Sequence, residues 1–255
     1  MINTIICGAL GKMGAEITGE LTASREFKLS GAVEAPGHPG LGKKLGGISV
    51  TSSLEDIISN TDAVIDFTAP SAALVHTEAC LLAGKPIVIG TTGFTLSQRE
   101  QIEKASDNIP VLLSPNMSSG INLMLRLAAQ AARSLSGFDI EITEIHHNRK
   151  KDAPSGTAAN IAEKLKKIRK GSRLVYGREG EAGPRNKNEI GIHSLRGGDV
   201  TGEHSVIFSG PGERFEITHR AHSRRAFVSG TLSAVKYIVS KPPGLYSMED
   251  LFELK

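Results

Sequence analysis

Glycines at 8, 11 and 14 constrain this fold more than any other feature of the chain. Residues 3–8 form a short β-branched run that turns through Gly8-Ala9-Leu10-Gly11-Lys12-Met13-Gly14 into a helical pattern ending near residue 23. A strand, a glycine turn and a helix in that order point first-turn amides at whatever sits beyond the strand end, and glycine lets a ligand approach that backbone closely. The spacing is GxxGxxG, so the motif needs support from its surroundings. Glu34 supplies it, twenty residues after Gly14 at the end of the next strand, where a carboxylate can accept from both hydroxyls of an adenosine ribose. Dinucleotide binding explains strand, turn, helix, strand and acid together. A tight βα turn and a solvated Glu before Pro36-Gly37 explain them only one by one.

The unit then repeats. Strand-like runs at 28–34, 63–67, 86–90 and 110–114 are dense in apolar residues, and helical patterns at 71–83 and 96–105 separate the later ones. Strands of that density alternating with helices indicate α/β structure with a doubly wound parallel sheet covered on both faces. Ligands of such sheets bind at the carboxyl ends of the strands, which makes the loops Asp66-Phe67-Thr68 and Gly90-Thr91-Thr92-Gly93 candidates to line the nicotinamide side of a cofactor site. Ordinary strand-to-helix turns remain the alternative there. Ser114-Pro115-Asn116-Met117 ends the last parallel strand and is a candidate hinge as well as a cofactor contact.

After Asn116 the rhythm changes. A helix over 121–135 leads into an alternating strand at 138–145, and later runs at 190–195, 204–208 and 214–219 are separated by Gly197-Gly198-Asp199 and Gly210-Pro211-Gly212. Short strands with tight glycine turns predict an antiparallel meander in a second, α+β part with a mixed or antiparallel sheet. Residues 177–191 read as a mobile loop, 231–239 as a final helix, and Ser247-x-x-Asp250 as a capping box for a short terminal helix.

Charge and cysteines exclude several classes of partner. The formal net charge of +3 is too small to imply nucleic-acid binding, and the basic run from Lys164 to Arg173 falls on the exposed face and C-terminal end of a helix, where the dipole favours cations. Cys7 and Cys80 lie in apolar segments without CxxC spacing and read as buried free thiols of a reducing compartment. No stretch approaches the ~20 apolar residues of a membrane span. The chain opens directly on a strand with no leader-like run, so a cytoplasmic location is expected.

The densest chemistry lies at Glu144-Ile145-His146-His147-Asn148-Arg149-Lys150-Lys151-Asp152-Ala153-Pro154-Ser155-Gly156-Thr157-Ala158. Pro154 to Thr157 precede a helical pattern, so the helix-start amides of Gly156 and Thr157 can bind an anion such as a carboxylate. A Lys150 ammonium just upstream would reach the same anion as a point charge, and imidazoles with pKa values near neutrality suit proton transfer. Along an extended strand Glu144 and His146 share one face and His147 takes the other, which gives the two imidazoles different jobs. Each element also has a plainer reading: partly buried histidines, Ser155 as only an N-cap, Lys150 and Lys151 as a solvated turn. A metal site is not expected, because none of the eight histidines has the i,i+4 helical spacing or cysteine partners of familiar zinc motifs.

This motif resembles the signature of the 4-hydroxy-tetrahydrodipicolinate (dihydrodipicolinate) reductase family, in its core His146-His147-x-x-Lys150-x-Asp152-Ala153-Pro154-Ser155-Gly156-Thr157-Ala158. The resemblance runs the whole length, through Gly8 to Gly14, Asp66-Phe67-Thr68, Gly90-Thr91-Thr92-Gly93-Phe94, Arg196-Gly197-Gly198-Asp199 and Gly202-Glu203-His204. It implies a Rossmann-type dinucleotide-binding domain over 1–117, to which 229–255 returns, and a substrate-binding and oligomerisation domain over 118–228. It implies a nicotinamide-dependent reduction at C4 of a cyclic dicarboxylate, with loss of water, in the diaminopimelate route to lysine. His146 would be the proton donor/acceptor and Lys150 the proton donor. His147, Ser155, Gly156 and Thr157 would bind substrate. Gly8, Ala9, Leu10, Gly11, Lys12, Met13, Glu34, Gly90, Thr91, Thr92, Ser114, Pro115, Asn116 and Met117 would contact the cofactor, and the molecule would be a homotetramer associated through its antiparallel sheets.

One position departs from the family. Many members that use NADPH well place an Arg after the acidic residue, whereas Ala35 and Pro36 follow Glu34 here. An unpaired Glu34 repels a 2′-phosphate, so NADH is expected to be preferred or both cofactors used, with Lys12 as partial compensation. Two other readings share the glycine turn: another two-domain NAD(P)-dependent dehydrogenase of a small carboxylate, similar to aspartate dehydrogenase, and a non-catalytic dinucleotide sensor. The first leaves residues 152–157 without a role, and the second has no need of a proton donor beside an anion site.

Overall fold

In this computed structural model, which describes residues 1–252, the alternation read from the sequence becomes β1 (Ile2–Cys7), α1 (Lys12–Ala23), β2 (Phe27–Val33), a small pair β3 (Lys44–Leu45) and β4 (Ile48–Thr51), β5 (Ala63–Asp66), α2 (Pro70–Ala83), β6 (Ile87–Ile89), α3 (Leu96–Ser106) and β7 (Pro110–Leu113). There follow α4 (Ser119–Ser134), β8 (Asp139–His146), α5 (Gly156–Ile168), β9 (Arg173–Tyr176), β10 (Glu189–Arg196), β11 (Gly202–Gly210) and β12 (Glu213–Ala221). The chain continues into α6 (Arg225–Ile238), β13 (Gly244–Tyr246) and a 3-10 turn at Met248–Leu251. It divides into two compact units, Met1–Ser119 with the residues from Arg224 on, and Gly120–Ser223. The last three residues of the expected returning segment, 253–255, lie outside the described residues. Among the described residues no helix is long and apolar enough to cross a membrane.

The first unit holds a sheet of order β13-β7-β6-β5-β1-β2-β4-β3, with every neighbouring pair parallel except β3 and β4. The chain steps from β1 to β2 and later returns to β5 on the other side of β1, so the ends of β1 and β5 flank the topological switch point. Alternate residues of β1 feed opposite faces. Ile6 packs with Ile17 and Leu21 of α1 and with Val235 and Ile238 of α6, while Ile5 and Cys7 pack with Ala79 and Cys80 of α2 and Ile102 of α3. Both cysteines are buried and unbridged. Helix α6 starts six residues before the predicted 231. Gly230 lies within it, where the Met117 carbonyl approaches so closely that a Cβ would overlap it. The predicted capping box forms, with the Ser247 hydroxyl accepting from Glu249 N and Asp250 Oδ2 accepting from Ser247 N.

The second unit corrects the predicted meander. Its sheet has the order β12-β11-β8-β10-β9, in which β10 is parallel to both β8 and β9, and β11 runs opposite to the other four strands. The Gly197-Gly198 turn is therefore not a hairpin. It arches over the end of β8, held by His147 N to Val200 O (2.8 Å), Asn148 N to Gly198 O (3.1 Å) and Gly197 N to His146 O (2.9 Å). Strand β9, which was not expected, begins at Arg173, the last residue of the basic run, and ends where the expected loop starts. The segment after it is pinned rather than loose, because Arg178 and Arg185 both reach Glu141 at 2.9 Å. Helices α4 and α5 cover one face through Ile121, Leu125, Ile161 and Leu165, packed on Ile140, Ile142, Ile192 and Phe208 of the sheet.

Candidate active site

The buried face of β8 runs Ile140, Ile142, Glu144, His146, so the apolar core of the second unit ends in an acid and an imidazole. The Glu144 carboxylate is fully excluded from solvent and saturated with donors. Arg196 donates to both its oxygens at 2.8 Å, Ser155 N donates to Oε1 at 3.1 Å, and His146 Nδ1 lies 2.5 Å from Oε2. Burial works to raise this carboxyl, but the Arg196, Ser194 and His146 hydrogen bonds outweigh it and hold it at about 2. Burial pushes His146 below its ordinary value; Lys150 and Arg196 add to that and Glu144 opposes it.

The predicted helix start is built as expected. Ser155 caps α5 by accepting from Ala158 N (3.2 Å), and the same hydroxyl lies 3.1 Å from His204 Nε2. Burial, with His146 beside it, lowers His204 to about 4, so that ring is neutral at physiological pH. Gly156 is exposed and Thr157 half-buried at the first turn. Lys150 pairs with Asp152 at 2.9 Å, and that carboxylate is 60% exposed. The His147 amide bonds to Val200, and its Nδ1 is buried with no hydrogen-bond partner among the described residues.

In the first unit the predicted cofactor residues gather at adjoining strand ends. Gly8 adopts φ +79°, and a Cβ at Gly14 would overlap the Gly8 carbonyl, so the turn is a backbone cradle with no room for side chains. The N-cap of α1 is Gly11, which offers no side chain to the first-turn amides, leaving the arrangement a pyrophosphate needs. Glu34 Oε2 accepts from Leu10 N at 3.0 Å and ties the acid to the turn. The loops after β5 and β6 are locked together: Thr91 Oγ1 accepts from Thr68 N (2.7 Å) and donates to the buried Asp66 (2.5 Å), and Phe67 lies against Gly90. Ser114 N donates to Ile89 O at 3.1 Å and Met117 is buried, while Lys12, Thr92 and Pro115 are exposed. These residues fit a dinucleotide.

Arg196 and His204 were not among the expected site residues. Register places them: Arg196 pairs with His146 across β10 and β8, and His204 with Glu144 across β11 and β8. A signal existed in the sequence, a lone Arg and a lone His at the ends of two strands flanking one glycine turn. Their convergence depends on β8 inserting between those strands. Asp66, in one of the expected loops, lies 2.6 Å from His76, which was not expected. With Cys7 they are the ligand types that converge within 4.8 Å. The Asp66 oxygens are taken by Thr68, Thr91 and His76, and burial pushes the Cys7 thiol well up, so the cluster is a hydrogen-bonded support for the β5 loop.

The two halves of the chain match two halves of one family. The family model described as "Dihydrodipicolinate reductase, N-terminus" matches residues 2–117, and "Dihydrodipicolinate reductase, C-terminus" matches residues 120–252. This chain belongs to the dihydrodipicolinate reductase family. Among curated reductases, the 4-hydroxy-tetrahydrodipicolinate reductase of Aquifex aeolicus (strain VF5) is 49% identical over 264 residues, with 99% of each chain covered. That of Geotalea daltonii is 43% identical over 267 residues, with 100% of each covered. Among solved structures, a dipicolinate-bound dihydrodipicolinate reductase from Paenisporosarcina sp. TG-14 superposes with a TM-score of 0.84 at 30% identity, covering 99% of this chain and all of that one. Reductase family membership over the whole length disfavours both the aspartate dehydrogenase-like and the sensor readings.

Proposed function

We infer that this chain reduces 4-hydroxy-tetrahydrodipicolinate to tetrahydrodipicolinate, with loss of water, in the diaminopimelate route to lysine. The observation that carries the reading is the Glu144 carboxylate, which bonds a proton-transfer imidazole and the amide of an anion-binding helix start at once. The Paenisporosarcina relative binds dipicolinate. A dicarboxylate of that class suits Ser155, Gly156 and Thr157 here, whose helix start favours negative charge. His147 is the further substrate contact, supported by its buried, unpartnered Nδ1.

His146 exchanges a proton with the substrate and Lys150 donates one. The ion pair from Lys150 to Asp152 involves a largely exposed carboxylate, so it is weak and a substrate carboxylate can displace it. Gly8 to Met13, Glu34, Phe67, Thr68, Gly90 to Thr92 and Ser114 to Met117 hold NADH or NADPH, which supplies the hydride. Ala35 leaves Glu34 without a cation to meet a 2′-phosphate, which favours NADH or dual use. The protein acts in the cytoplasm as a homotetramer associated through the second unit. Supporting that assembly, β12 is an edge strand exposed along most of its length, and Phe215 on it is 47% exposed.

A coupled assay tests the activity: aspartate semialdehyde, pyruvate and the preceding synthase are supplied, and loss of reduced nicotinamide is followed. Turnover that requires all components is the expected result. Normal cofactor binding with no turnover would return the sensor reading.

A further inference from the structure

The buried Glu144 carboxylate is held by partners from three elements. His146 lies on its own strand, Ser155 at the start of α5 and Arg196 on β10. A carboxylate flanked by a guanidinium can only accept, so the ring nitrogen facing it carries the proton. His146 is then the Nδ1–H tautomer, and Nε2 is the nitrogen left for substrate. Gly202 keeps that nitrogen open, since a Cβ there would stand 3.0 Å from Nε2. Glu144 alone would make His146 strongly basic. The bidentate Arg196 cancels much of that charge, and Arg196 also donates to the Asp152 carbonyl at 2.7 Å, which anchors the turn that carries Lys150.

We propose that Glu144 and Arg196 form a charge-balanced clamp that sets the tautomer and proton affinity of His146 and holds it in register with the substrate-binding helix start. Both are positioning residues for the reaction. The inference rests on reading His146 as the proton-transfer group. The titratable and charged groups facing that ring are Glu144 on β8, Lys150 in the following turn, Arg196 on β10 and His204 on β11, whose ring stands edge-on at 5.2 Å. His204 is neutral in the working range, and Lys150 has its own counterion in Asp152. Burial and Lys150 also lower the ring, so Glu144 and Arg196 are the opposed charges that are bonded to one another beside it.

Two variants move His146 in opposite directions, which a merely structural role does not. Nitrogen NMR of histidine-labelled full-length protein reads tautomer and titration, with His146 assigned by its loss in His146→Gln. The wild type shows Nδ1–H. Glu144→Gln removes the anion and leaves Arg196, so the titration moves down; Arg196→Gln removes the cation and leaves Glu144, so it moves up, each by about one unit or more. Arg196→Lys keeps the charge and stays near the wild type. The limb of kcat/KM that belongs to His146 follows these shifts. Parallel shifts, or none in variants that unfold cooperatively, overturn the clamp. Should Arg196→Gln fail to fold, the contrast between Glu144→Gln and Arg196→Lys decides alone, and an unmoved Glu144→Gln overturns it. If the His146 titration moves while the kcat/KM limb does not, the clamp stands and the reading of His146 as the proton-transfer group falls.

Discussion

Ser155 shows how one small side chain serves two purposes. Its hydroxyl caps α5 and meets His204, and its amide reaches Glu144. Ser155→Ala keeps the amide and loses the cap, so we expect a loss of about 1 kcal/mol in stability, measured by urea unfolding, and a raised KM for substrate with cofactor affinity unchanged. Ala35 argues the same way for the cofactor. Placing a cation beside Glu34 by Ala35→Arg should raise the ratio of kcat/KM for NADPH over NADH by about tenfold, the worth of one charge-assisted hydrogen bond. An unchanged ratio would mean that the phosphate end of the cofactor is read elsewhere.

Elements differ in how much of them the sequence disclosed. The parallel strands were legible because β-branched runs buried on both faces leave no other pattern, and the glycine turn because Gly8 and Gly14 meet backbone where a side chain has no room. Strands β3, β4 and β9 span two to four residues each, too short to show a period. The mixed order of the second sheet was hidden for another reason: a glycine turn spanning a strand has the same local sequence as a hairpin. That order decides the site, because β8 must lie between β10 and β11 for Arg196 and His204 to reach Glu144. On the same strand, Arg178, His193 and Arg185 hold Glu141 at about 2 against the opposing effect of burial, as Glu144 is held. Both carboxyls titrate lower in the folded chain than in the unfolded one, near 4.5. Their stabilisation, roughly 3 kcal/mol each, is therefore present above about pH 4.5 and lost as pH falls from there towards 2. Resistance of the second unit to urea should fall over that window as pH drops, and Glu141→Gln should flatten the dependence. A slope unchanged by that substitution would remove Glu141 from the acid response.

At the scale of the molecule, the proposed reading gives each unit its own part of the chemistry: a dinucleotide cradle in the first, and an anion site with proton-transfer groups in the second. Sedimentation should give the mass of four 255-residue chains, and a monomer in active solutions would remove the edge strand β12 from the assembly. If catalysis needs the second unit's protons and not only the first unit's cofactor, the two functions separate by mutation. The decisive measurement is therefore kcat in the coupled assay for the wild type and for a His146→Gln, Lys150→Ala double variant, with NADH affinity measured on both proteins. We expect wild-type turnover, and in the variant a fall in kcat of about a thousandfold or more with NADH affinity unchanged within about twofold. A variant that turns over like the wild type, or a wild type that binds NADH and consumes none of it with this substrate, would contradict the reading of residues 144–158 as a reductase active site.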